Sequence, residues 1–114
     1  MGGHWSGPGR SGRESPILHG LQPAAVLGPV VRDRRRALGV SQEALAERAG
    51  LDRTYVSGVE RGVRNPTVQA LFRLAVGLGW GPGDLVGAVA ARMAEEDPWY
   101  GEAVRRGAVG AGGP

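Results

Sequence analysis

The sequence predicts an all-α fold, a compact five-helix domain, and three observations predict it. Apolar residues recur at helical spacing in successive segments. Residues that cap helices (Ser41, Asp52 and Thr67) stand just ahead of those segments. Glycines that end helices (Gly50, Gly62 and Gly79) stand just behind them. All three coincide in Ser41–Gly62, SQEALAERAGLDRTYVSGVERG, which reads as two short helices joined by a tight turn.

Residues 1–23 hold many Gly, Ser and Pro with little periodicity and read as a disordered arm, with Trp5 as an incidental aromatic. Helix 1 is expected from Ala24 or Ala25 to Leu38, with Leu27, Val30, Val31 and Leu38 on one stripe. Pro29 falls near its first turn, which places the start of regular helix about Gly28. Arg32, Arg34 and Arg36 are read as solvated, whereas the spacing of Arg35 puts it on the core side.

Helix 2 follows Ser41, and Ala44, Leu45 and Ala49 form its apolar face; Ala46 is small where a crossing helix must come close. Helix 3 follows Asp52. Leu51 and Val56 fall at the spacing of a hydrophobic staple, which fixes the angle at which the chain enters the helix. Val56 and Val59 make its inner face. Helix 4 runs from the Thr67 cap to Leu78, with Val68, Leu71, Leu74, Ala75 and Leu78 as its apolar face. Gly77 weakens its last turn by about 1 kcal/mol relative to alanine. Pro82 opens helix 5, which carries Leu85, Val86, Val89 and Met93 and extends to Glu96. Asp97-Pro98 breaks it. The expected organisation is an arm over 1–23, a helical domain over 24–96 and a flexible Gly/Ala-rich tail over 97–114, with Trp99-Tyr100 its one sticky spot.

The 114 residues allow one small domain and include no cysteine, which excludes disulfides, thiol catalysis and cysteine-ligated zinc. No apolar run approaches the roughly 18 residues needed to span a bilayer, and a cytoplasmic protein is the expectation. Net charge is +3, and all fourteen basic residues are arginine. Nine of them lie between Arg32 and Arg73, against five acids. Arginine suits phosphate and guanine because its planar fork binds bidentately. The absence of lysine, in a chain this rich in Gly and Ala, also fits a GC-rich genome.

The outer face of helix 3 carries Arg53, Thr54, Ser57, Gly58 and Arg61, none of which a core requires. A short-polar, cationic helix face held at a fixed angle by a second helix is of the kind that enters a DNA major groove. The segment resembles the helix-turn-helix of the phage-repressor/Cro-like (XRE) family. The resemblance covers roughly Leu27 to Val86. It rests on Ala46, the turn glycine Gly50, the pair Val56 and Val59, the E-R-G of Glu60–Gly62 and the N-P-T of Asn65–Thr67.

The resemblance implies a lambda-repressor-like domain that binds double-stranded DNA as a homodimer and regulates transcription. By position, Arg53, Thr54 and Ser57 would meet base edges. Gln42, Tyr55, Arg61, Arg64 and Asn65 would meet phosphates. Arg35 would pair with Glu60, tying helix 1 to the end of helix 3. Gly58 departs from the family's usual long polar side chain: specificity is relaxed there, or the backbone approaches DNA or a partner closely, or the glycine is tolerated drift. Helix 5, with Trp80, Phe72 and Met93, is the expected dimer surface.

No catalytic constellation, cofactor motif or metal-ligand cluster is visible, so an enzyme is not expected. His4 and His19 lie in the arm without fixed partners. The alternative function is an antitoxin-like or adaptor module that holds a protein partner through its tails, with DNA binding secondary or lost.

Overall fold

A computed structural model describes residues 22–107. It is all-helical over that range, with α1 (Pro23–Ala37), α2 (Gln42–Ala49), α3 (Arg53–Glu60), α4 (Val68–Gly77), α5 (Pro82–Glu96) and α6 (Pro98–Arg105). The described residues fall into two compact units, Pro23–Arg92 and a second that contains residues 93–107. The expected arm lies almost wholly outside the described residues.

In the first unit the helix ends follow local chemistry. Ser41 Oγ accepts from the Ala44 amide at 3.0 Å, and Thr67 Oγ1 from the Ala70 amide at 3.1 Å. Gly50 closes α2 in the left-handed conformation, φ 69°, and its N–H reaches the carbonyls of Ala46 and Glu47. Asp52 occupies the N-cap position of α3, but its side chain makes no capping hydrogen bond. Its backbone carbonyl does the work instead, accepting from Tyr55 and Val56.

The core is assembled from Val26, Leu27, Val30 and Val31 of α1, Leu45, Ala46 and Ala49 of α2, Val56 and Val59 of α3, and Ala70, Leu74 and Ala75 of α4, with Leu78 and Leu85 beyond. Two elements differ from the sequence-based expectation. The helix α1 starts at Pro23, ahead of Pro29. Pro23 sits at the first helical position, where its missing N–H costs nothing. The carbonyl that Pro29 leaves without its helical donor belongs to Ala25, an exposed residue, where the lost bond costs less than in a buried turn. Leu38 lies past the helix end and is exposed, while Val26 is buried in its stead. On α4, Val68 is 69% exposed and not part of the apolar face; Ala70 is buried.

Helix crossings are close where glycine permits. A Cβ on Gly28 would stand 2.5 Å from the Glu60 carbonyl oxygen and 2.7 Å from that of Val59, so α1 crosses the end of α3 at backbone contact. Arg34 does not simply face water. Its Nε donates to the Leu78 carbonyl at 3.0 Å and its guanidinium stacks 4.7 Å from the Trp80 ring centre. Met93 is buried, so the expected dimer surface loses it; Trp80, though stacked on Arg34, stays half-buried, and Phe72 stays half exposed.

In the second unit, α6 replaces the unstructured tail expected over Trp99–Arg105. Asp97 turns the chain, and its Oδ1 accepts from the amides of Trp99 and Tyr100 at 3.0 and 3.2 Å. Pro98 follows at the first helical position, a cap-then-proline start that favours helix over coil. Gly101 lets α6 approach the Ala94 carbonyl, which a Cβ would meet at 2.6 Å.

Candidate nucleic-acid interface

The site begins with the bracing of α3. Arg35 Nε donates to Glu60 Oε2 at 2.6 Å and Nη2 to Oε1 at 3.0 Å, a two-pronged contact between α1 and the last residue of α3. The side chains are 11% and 3% exposed, so the pair is shielded from solvent. Arg35 Nη1 also donates to the Val40 carbonyl, and Gln42 Nε2 to Glu60 Oε1 at 2.9 Å. Glu60 therefore links α1, the start of α2 and α3. The hydrogen bond to Glu60 holds the Arg35 pKa above its ordinary value, outweighing the opposite effect of burial. The amide nitrogen of Gln42, expected at a phosphate, is committed to this network.

With Val56, Val59 and Glu60 buried, α3 turns a second face outward. Arg53 and Thr54 at its start are exposed, and Ser57 is half-buried one turn on. Arg61 Nη1 donates to Ser57 Oγ at 2.6 Å, so these two side chains share one surface. Arg64 and Asn65, in the loop that follows, are exposed too. The structure thus gathers Arg53, Thr54, Ser57, Arg61, Arg64 and Asn65 around the outer side of α3 and its C-terminal loop.

Gly58 is the exception to the expected outer face, because it is buried. The cause lies in the turn after α3. The Val63 amide bonds back to the Gly58 carbonyl and the Gly62 amide to that of Val59, with Gly62 at φ 78°. This double closure reverses the chain. It sends Arg64 back along the helix, where its Cγ lies 2.7 Å from the place a Gly58 Cβ would take. The Arg64 guanidinium then stands 5.5 Å from the centre of the Tyr55 ring. No pattern in the sequence links residue 58 to residue 64; only the E-R-G turn signal lies between them.

A family model described as helix-turn-helix matches residues 31–85. An uncharacterized HTH-type transcriptional regulator, y4dJ of Sinorhizobium fredii, is 49% identical over 45 residues, covering 40% of this chain and 58% of that protein. The restriction-modification controller protein C.AhdI of Aeromonas hydrophila has a solved structure with a TM-score of 0.53 and 45% identity, covering 54% of this chain and 94% of C.AhdI. A second controller, C.Esp1396I, solved as a tetramer in complex with its natural 35 base-pair operator, matches with a TM-score of 0.56 and 33% identity, over 59% of this chain and 88% of that one. The chain spans little more than half the length of the y4dJ protein. The register of α2 and α3, the braced end of α3 and these matches together place the chain in the phage-repressor/Cro-like (XRE) family of helix-turn-helix proteins.

Proposed function

We propose that the chain is a sequence-specific DNA-binding transcriptional regulator that inserts α3 into the major groove of double-stranded DNA. The observation that carries this is the division of labour on α3. One side is locked into the core by Val56, Val59 and the Arg35–Glu60 pair, which leaves Arg53, Thr54, Ser57 and Arg61 free of any core duty.

Arg53 is suited to fork onto guanine O6 and N7, and Thr54 to touch a thymine methyl; Ser57 reads one turn further along. Arg61, Arg64 and Asn65, together with Tyr55 and the start of α2 at Gln42, fix the protein on phosphates. The protein acts by binding, not catalysis, and in the cytoplasm. It works as a homodimer, whose two α3 helices must lie about 34 Å apart to enter successive turns of one groove face. C.Esp1396I, which binds its operator as a tetramer, supports a multimer of this kind.

Selection of bound sequences from a random duplex pool tests the reading, run with wild type and with Arg53→Ala. The wild type should enrich a defined, two-fold symmetric site, and Arg53→Ala should lose a guanine preference within each half. Identical sites from both proteins would remove Arg53 from base reading. No enrichment by folded wild type would favour the adaptor reading instead.

A further inference from the structure

We infer that Gly58 is a positioning residue whose missing side chain seats Arg64 on the DNA-facing surface of α3, with the Tyr55 ring as its backrest; this rests on the DNA-binding reading above. Three observations converge. Gly58 is helical and is not among the glycines with positive φ, so the backbone itself does not call for glycine. Glycine at a helix interior is unfavourable relative to alanine, so a contact that needs the missing side chain would offset a real penalty. The space a Cβ would fill is taken by the Arg64 stem, with Cγ at 2.7 Å, Nε at 3.4 Å and Cδ at 3.6 Å.

Position matters as much as space. Residues 54, 58 and 61 share one side of a helix with 3.6 residues per turn, opposite Val56, Val59 and Glu60. A residue arriving from the loop has therefore been laid across the middle of the outward face. The turn closed by Val63 and Gly62 sets its path, and the Tyr55 ring, 5.5 Å from the guanidinium carbon, holds the far end by cation–π attraction. A loop arginine would otherwise sample many rotamers; seated in this way it meets DNA with less ordering left to do. An alanine at 58 meets the root of the Arg64 side chain, not backbone, so Arg64 must swing off the seat about its first side-chain bond.

The test is a double-mutant cycle of Gly58→Ala and Arg64→Ala, read by fluorescence anisotropy on a duplex selected by the wild type and by thermal melting. Each single variant is expected to weaken binding roughly tenfold, the scale of one charge-assisted hydrogen bond. Each should also flatten the slope of log K against log salt, by up to about one. The double variant should bind no worse than Arg64→Ala alone, and Gly58→Ala should melt no lower than wild type. Tyr55→Phe, which keeps the ring and drops only the hydroxyl, should weaken binding less than Tyr55→Ala, which removes the backrest as well.

Additive losses in the cycle, or a Gly58→Ala protein that binds like wild type while Arg64→Ala does not, would overturn the inference and leave the DNA-binding reading standing. Unchanged binding by Arg64→Ala would overturn it as well. A folded wild type that selects no duplex would end both.

Discussion

At the scale of single residues, the Arg35–Glu60 pair carries the most energy that one substitution can expose. Glu60→Ala strands a buried guanidinium, and the expected loss is about 3–5 kcal/mol by thermal or urea unfolding. That is a large share of the roughly 5–15 kcal/mol that holds a small domain together. Replacing both partners, Arg35→Met with Glu60→Leu, should recover most of the loss, because no charge is then left in an apolar setting. The pH dependence follows from the raised Arg35 pKa. The pair's contribution is fully present below the unfolded-state arginine pKa and disappears only as pH rises through the still higher folded one. A stability profile taken across the neutral range should therefore show no step from Arg35.

At the scale of elements, the sign of a glycine-to-alanine change separates crowded helix faces from open ones. Alanine normally favours a helix by about 1 kcal/mol over glycine. At Gly28 the new methyl would collide with the backbone carbonyls of α3, so Gly28→Ala should destabilise by roughly 1–3 kcal/mol in chemical denaturation. At Gly83 and Gly87 of α5 nothing lies within 4 Å of the added carbon, and each substitution should stabilise by about 0.5–1 kcal/mol. The helix α6 depends on its first residues. Asp97→Ala removes the acceptor for two amides and should cost about 1 kcal/mol, seen as faster hydrogen exchange confined to residues near 99–101.

At the scale of the whole molecule, the charge distribution sets the expected response to salt. Nine arginines against five acids fall between Arg32 and Arg73, and Arg53, Arg61 and Arg64 among them are exposed on α3 or the loop that follows it. If six or so phosphates are met per complex, affinity should fall by ~10³ or more between 50 and 200 mM salt. Sequential dilution of a labelled duplex complex at several salt concentrations measures it, and a flat profile would remove phosphates from the binding surface. On α4, Val68, Phe72 and Val76 form an exposed apolar row at i, i+4 and i+8. It lies opposite the core face that periodicity had assigned to Val68.

Much of this fold was legible before any coordinates. Caps at Ser41 and Thr67, the stop at Gly50 and the inner pair Val56 and Val59 depend on neighbours within a turn, which a linear sequence displays. Regular helix begins ahead of Pro29 and not at about Gly28, because a proline costs less where the carbonyl it abandons, on Ala25, belongs to an exposed residue. Likewise α6 was hidden by composition, since one buried aspartate outweighs a Gly/Ala-rich run.

The sequence by itself determined that α1 to α5 form, which way α3 faces and that the arginines concentrate in this part of the chain. Only the tertiary structure decided what occupies that surface, because a side chain's resting place depends on where distant backbone delivers it. Gly58 shows the difference. In the sequence it was a gap in the outer face; in three dimensions the reversal at Gly62 brings Arg64 into that gap.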